Sequence, residues 1–525
     1  MKKVLKGALI LVLCAMFFAS CGTTGKSAAT EDGAKEEKVA KSDKQAAKEQ
    51  QKADKQKAKE KKKAGKSAEA KSGSYLVPIN EAVAAGEYED AYALLSQDDN
   101  KAYLGSDDIY NMDAGMVKLY ANNNEAAISH LEPVADMEKL QEKYAGANKV
   151  VVSTFFADEY SQPYVTYDYE DIYAIIFDAV AKLDDPKTAD AAFQDLQNIR
   201  NMLMAMEVYN ETLSAKLNEV GELDKESADS LPKAENFVFN NSALANYLAL
   251  IYNKYNGDKE GDQRSFFYDQ MEESYNQDSY ANQEMPKGVA AEKESVPAGK
   301  ARLNVLAMVG LMAEKQTKEI YVDAPIKFLT SQISENEDIK KANIDASKIT
   351  SSLGDIFAGN KYKVVYSELK DRSELAGKTC KVTINGTDYE LETIENVSDI
   401  ARKCTERKQN FAARRSLIRN VIKSVPLTVA YMLLPDPAGM GNPLQQKAAE
   451  AGRKSAKEKV IDSLSKEYGD IRGAHFYPAE VQALGIDLDP GTYDVVVTFP
   501  GQKPINRSVV VKAGQLNLLE VECLK

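Results

Sequence analysis

Gly86-Glu87-Tyr88-Glu89-Asp90-Ala91-Tyr92-Ala93-Leu94-Leu95 is the stretch whose reading decides the fold. Upstream of it, Tyr75 to Val83 places its apolar residues on one helical face, and Gly86-Glu87-Tyr88 breaks the pattern. Ala91, Leu94 and Leu95 resume the stripe between Asp90 and Ser96. Two apolar stripes of helical period separated by so short a break predict two helices folded back on each other, each hiding its stripe against the other. The region that begins here is therefore expected to be all-α.

The pattern recurs. Val117, Leu119 and Tyr120 precede the turn Asn122-Asn123-Asn124, and Ala126, Ala127, Ile128 and Leu131 follow, about 37 residues from turn to turn. Tyr169 to Leu183, Asp184-Asp185-Pro186 and Ala189 to Tyr209 form a third unit; Asn241 to Tyr255, Asn256-Gly257 and Gln263 to Tyr275 form a fourth. Gly86, Tyr88, Ala91 and Leu95 resemble the turn and second helix of a tetratricopeptide repeat, a class with a period of about 34 residues. An irregular helical bundle is the competing arrangement. The resemblance implies a concave protein-binding surface over residues 75–280. Tyr88, Tyr92, Tyr120 and Tyr247 are the candidates to line it, against the alternative that aromatic residues at this spacing form the core.

Residues 276–300 are polar, with Pro286, Gly288, Pro297 and Gly299, and read as a domain boundary. The texture then changes. Leu303 to Leu311, Lys318 to Val322 and Lys361 to Tyr366 read as strands. Cys380 to Ile384 and Thr387 to Leu391 alternate on either side of Asn385-Gly386, which predicts a β-hairpin near 380–392 closed by a type I′ turn. Two helices are expected within 398–468. The first, Ser398 to Ser424, is basic, with Arg407, Arg414 and Arg415 at its centre; Pro426 is expected to end or kink it. Its charges suit either an acidic partner or the acidic helices of its own chain, the second being the commoner use of such a run. Strands close the sequence over 485–524, and Leu488-Asp489-Pro490-Gly491-Thr492-Tyr493 resembles the turn of small β-sandwich modules of bacterial envelope proteins.

The first 21 residues address the chain. Lys2, Lys3 and Lys6 precede eleven apolar residues, Ala8 to Phe18, too few to cross a bilayer and typical of an export signal over 1–20. Ala19-Ser20-Cys21-Gly22 resembles the lipobox of bacterial lipoproteins, with Phe18 where Leu is usual. That resemblance implies acylation of Cys21 and anchorage to a membrane, and Gly22 points to the outer membrane. Residues 21–74 are Lys-, Ala- and Glu-rich with no core-forming pattern, and are expected to be a disordered tether with a root-mean-square reach of roughly 40 Å.

The net charge of −13 hides an asymmetry. Three Lys within 1–20 and 15 Lys against nine Asp or Glu within 21–74 leave −22 on the remaining body. So acidic a body excludes nucleic acid as a partner, because phosphate neutralisation requires clustered Lys and Arg. Cys380, Cys404 and Cys523 remain after Cys21, and Cys380 with Cys523 is the plausible bridge, against three buried thiols. His130 and His475 stand without HExxH, nucleophile–base or zinc spacing, no phosphate-binding glycine motif occurs, and Asp258 to Asp262 lacks the calcium-loop pattern. No cofactor and no enzymatic activity are expected.

The expected fold is multidomain α+β: an all-α tetratricopeptide-like helical-repeat array followed by an α+β domain ending in a small antiparallel β-sandwich. As a whole the chain resembles a family of bacterial lipoproteins with this combination, a resemblance that implies no activity and no functional residue beyond Cys21. The expected function is a non-enzymatic envelope lipoprotein, membrane-anchored through Cys21 and acting as a scaffold for other envelope proteins. The alternative is a surface-exposed lipoprotein that binds host or extracellular ligands.

Overall fold

The computed structural model describes residues 70, 72–150, 160, 162–183, 185–220, 223–233, 237–256, 262–277, 280 and 283–525 except 466. The signal at 1–20, Cys21, nearly all of the 21–74 tether and Asp258 to Gly261 lie outside the described residues.

The helical part opens with α1 (Val77–Ala85) and α2 (Tyr88–Leu95), then α3 (Asp98–Leu104), α4 (Asp107–Tyr120), α5 (Asn124–Ala135) and α6 (Met137–Ala145). It continues with α7 (Asp168–Leu183), α8 (Ala189–Asn218), α9 (Lys225–Asp229), α10 (Ala243–Asn256), α11 (Asp262–Tyr275) and α12 (Lys287–Ala290). Local chemistry sets most of these ends. Gly86 closes α1 at φ 79°, a left-handed conformation that costs glycine little. Ser106 and Asn123 cap α4 and α5 by accepting from the backbone N–H of Asp108 and Ala126. Gly115 lets α4 close onto α5, since a Cβ there would sit 2.5 Å from Leu131 Cγ. α7 is buried along its whole length and forms the axis of this part.

The remainder mixes strands and helices: β1 (Ala301–Leu311), β2 (Glu314–Asp323), α13 (Ile326–Ser334), α14 (Glu337–Lys341), α15 (Ala346–Phe357), β3 (Lys361–Lys370), β4 (Lys381–Ile384), β5 (Thr387–Glu390) and β6 (Glu392–Glu395). Then come α16 (Val397–Met432), α17 (Pro443–Leu464), β7 (Pro478–Leu488), β8 (Gly491–Thr498), β9 (Ile505–Val511) and β10 (Leu518–Cys523). Among the described residues they form sheets ordered β10-β1-β7-β6, β2-β3 and β5-β4-β8-β9. The protein is thus mixed α+β, with small sheets and a majority of helix.

β1 explains the architecture. All eleven of its residues are buried. Leu303, Val305, Ala307 and Val309 share one core with the β5-β4-β8-β9 sheet, and Leu306 and Met308 share another with the helices. A strand covered on both faces loses polar alternation and reads as a continuous apolar run. The β10-β1-β7-β6 sheet is therefore a partition, with helices on one side and the second sheet on the other. The helical core runs from Leu76 to Leu524 without stopping at residues 276–300, so that stretch marks a change of secondary structure rather than the edge of a core. A third core joins β2 and β3 to α13, α15, α16 and α17.

Three expectations need correction. The closing strands are not all antiparallel: β10 pairs with β1 in parallel, from Asn304 with Leu518 to Val309 with Cys523. Pro426 does not end its helix, which continues to Met432. Val421, Thr428, Val429 and Tyr431 are buried on either side of the proline, and the Tyr362 hydroxyl lies 3.0 Å from Ser424 Oγ; this packing outweighs the one backbone bond that proline removes. The Cys380–Cys523 bridge is not formed: both residues, and Cys404, are free thiols. Burial pushes the Cys380 thiol up to about 12, away from the thiolate that disulfide exchange requires.

Candidate functional site

Of the tyrosines expected to line a concave surface, Tyr120 and Tyr247 are core residues, and Tyr88 and Tyr92 are half-buried against that core. Tyr120 is buried and donates its hydroxyl to the Phe476 carbonyl at 2.7 Å. Tyr88 packs against it with ring centroids 5.8 Å apart. Tyr247 is buried and receives a hydrogen bond from Asn304 Nδ2 at 3.0 Å. Tyr92 is half-buried between the His130 ring, 3.1 Å from its hydroxyl, and the Lys118 ammonium, 3.8 Å above its own ring. Tyr88 and Tyr120 come together; Tyr92 faces His130 and Lys118, and Tyr247 lies elsewhere, against β1.

The basic helix α16 turns its charge inward. Arg407 makes a two-pronged bond to Glu207 of α8, Arg414 donates to Asn218, and Lys408 pairs with Asp168 of α7 at 2.9 Å. Arg419 donates from Nε to both oxygens of the buried Glu467, at 3.0 and 3.1 Å, and Lys423 reaches the same carboxylate at 2.8 Å. Arg415, next to Arg414, is half-buried on the same helix. The acidic partner of this helix is its own chain, so these arginines do not form an open docking face.

Three acidic hubs tie the helices to the strands, and none was legible as a motif. Glu395 of β6 accepts from Tyr173 at 2.7 Å, Ser242 at 2.8 Å, Tyr280 at 2.8 Å and the Leu244 N–H at 2.9 Å, which fastens α7 and the start of α10 to the central sheet. Burial holds its pKa above the carboxylate range, and the four donors oppose that shift. Glu170 of α7 takes the Lys315 ammonium of β2 at 3.0 Å and the Tyr164 hydroxyl at 2.6 Å. That ammonium also donates to Tyr164 at 2.5 Å and to the Arg472 carbonyl at 3.0 Å, and sits 3.8 Å over the Tyr167 ring. Burial lowers its pKa, and Glu170 pulls the other way.

The third hub joins Asp113 of α4 to His475. One carboxylate oxygen accepts the His475 backbone N–H at 2.7 Å and the other lies 2.7 Å from Nδ1. A carboxylate only accepts, so Nδ1 carries a hydrogen and donates it to Asp113, which fixes the orientation of the ring. His475 lines a cleft of about 280 Å³ with Ser72, Leu76, Lys315, Thr317 and Ile471. Among the described residues, this is where an imidazole oriented by a buried carboxylate lines an open cavity. Sequence reading found His475 alone because its partner is 362 residues away. The available signal was Asp113 itself, a carboxylate interrupting the apolar stripe of α4. Among the described residues no group of three or more His, Cys, Asp or Glu is placed to hold a metal ion.

Compared with protein-family models, with curated proteins and with solved structures, the chain matches none.

Proposed function

We propose that the chain is a non-enzymatic envelope lipoprotein, anchored in the outer membrane through Cys21, whose body is a scaffold for other envelope proteins. The observation that carries the reading is the use made of the acidic and basic side chains. Glu170 and Glu395 bind helices and strands 145 and 222 residues apart into one body, and Glu467 is held by Arg419 and Lys423 of α16, which suits a preformed platform better than a site that must move. The helix pairs α1–α2, α4–α5, α7–α8 and α10–α11 fall where the repeats were read, and support a tetratricopeptide-like stack. The shared core of the two four-stranded sheets supports a small β-sandwich. Because Tyr120 and Tyr247 are buried and Arg407 and Arg414 are paired within the chain, partner contacts are assigned to the outer faces of the helices.

The test is crosslinking in cells, with affinity capture through a C-terminal tag and mass spectrometry, comparing wild type with Cys21→Ala. Stoichiometric recovery of one or two envelope proteins, lost with the anchor, is expected. Recovery of bulk lipoproteins alone overturns the scaffold. The second reading, a surface-exposed protein that binds host or extracellular ligands, is favoured by the His475 cleft. Protease treatment of intact cells separates the two: digestion of the body supports surface exposure, protection a periplasmic scaffold.

A further inference from the structure

Between Lys423 and Lys447 the chain carries one charged residue, Asp436. This stretch forms the end of the hairpin made by α16 and α17. Thr428, Val429 and Tyr431 turn into the core. Pro426, Ala430, Leu433, Pro435, Ala438 and Leu444 face outward, with Leu433 45 % and Leu444 78 % exposed. An 18-residue window within 397–439 reaches a mean hydropathy of 1.3, yet half of it is buried, so this is the apolar end of a core helix and not a span.

The residues behind the tip differ in charge from the rest of the body. α17 carries five Lys or Arg against three Asp or Glu, in a body whose net charge is −22. Lys447, Lys454 and Lys459 are exposed along it. Arg453 is turned to the tip, its guanidinium 4.6 Å from the Tyr431 ring centre and donating to the Leu434 carbonyl at 3.1 Å. An apolar tip with a single charge, Asp436, backed by lysines has the composition of a segment that settles at the headgroup boundary of an anionic bilayer. Lysine stems there extend over apolar surface while their ammonium groups stay in water.

We propose that the α16–α17 tip inserts into the interface of an anionic bilayer. It would give a body tethered by its N-terminal lipid a second point of contact that fixes its orientation. The proposal rests on the reading of the chain as membrane-anchored.

The chain contains no Trp, so Leu444→Trp in the full chain places a single fluorophore at the tip. Its high exposure means the fold is retained, which an unchanged thermal midpoint verifies. With phosphatidylcholine vesicles containing phosphatidylglycerol, emission is expected to move to shorter wavelength, and brominated acyl chains should quench it several-fold more than in phosphatidylcholine alone. Adding Lys447→Glu and Lys454→Glu should remove most of that difference. Emission unaffected by vesicles, or affected equally without phosphatidylglycerol, overturns the proposal. A shift in the absence of any lipid also overturns it and assigns the tip to a protein contact. The reporter reads tip depth however the chain is held, whereas loss of anchoring is read from the membrane fraction of Cys21→Ala cells, so the two readings fail separately.

Discussion

Lys315 meets Glu170 at 3.0 Å with their side chains 4 % and 0 % exposed, and the pair fastens β2 to the central helix α7. Removing one partner leaves an uncompensated charge in the interior. Lys315→Met is therefore expected to destabilise by about 3–5 kcal/mol, whereas the double change Lys315→Met with Glu170→Leu recovers most of it. Thermal melts of the wild type and the two variants decide this. Equal loss in the single and double variants would show that packing, not the lone charge, sets the cost.

Gly115 is the second test. Its substitution by Ala puts a Cβ 2.5 Å from Leu131 Cγ and 2.7 Å from Cδ2. Overpacking of this kind costs about 1–3 kcal/mol, more than the roughly 1 kcal/mol that alanine adds to a helix interior. Gly115→Ala should lower the midpoint, and adding Leu131→Ala should not lower it further by the full cost of that substitution alone.

Pro426 runs the other way. It is exposed on a continuous helix, so Pro426→Ala restores a backbone bond and meets no neighbour in the core. A rise in thermal midpoint is expected, from a gain of up to about 3 kcal/mol. A fall would mean that the proline shapes the packing of the hairpin beyond it.

Glu522 makes stability depend on pH. Burial raises its pKa from 4.5 to about 7, while Arg507, 3.5 Å away, opposes the shift. A raised carboxyl in the fold binds a proton that the unfolded chain releases between about pH 4.5 and 7. Its contribution is present below that window and is lost as pH rises through 7. Glu522→Gln should remove this slope, so the difference in midpoint between wild type and variant changes between pH 5 and pH 8. A constant difference would place the group at an ordinary pKa.

The thiols give a chemical check. Cys380 and Cys404 are buried and Cys523 is half-buried. Iodoacetamide at neutral pH should leave Cys380 and Cys404 unmodified in the folded chain and label both after denaturation without reductant. Labelling that requires reductant would restore the bridge between Cys380 and Cys523.

What was legible in the sequence was local. The hairpin at β4 and β5 follows from alternation around Asn385 and Gly386, which adopt φ 51° and 78° as a type I′ turn requires. Each helix pair of the first part is present, because a break between two apolar stripes is a short-range signal. The run over β1 was read as a strand, but its burial on both faces was not, since nothing near it names the element that covers it. Asp113 and His475, or Tyr173 and Glu395, are separated by hundreds of residues, and only the closed fold shows that they meet. Pro426 does not end its helix for the same reason: the core that holds the helix on either side of it lies far away in sequence. The helices α13 to α15 drew no assignment, although Asn336 and Asp345 cap two of them.

The parallel pairing of β1 with β10 also bears on how the chain reaches this state. The central sheet is bordered by a strand that ends at residue 523, and its neighbour begins at residue 301. A chain that emerges from its first residue onward completes its helices long before that border exists. Parallel pairing across so long a separation is slow to form. The edge of the central sheet is therefore the last part of the fold that can close, after the helices and the strands β1, β6 and β7 are all available.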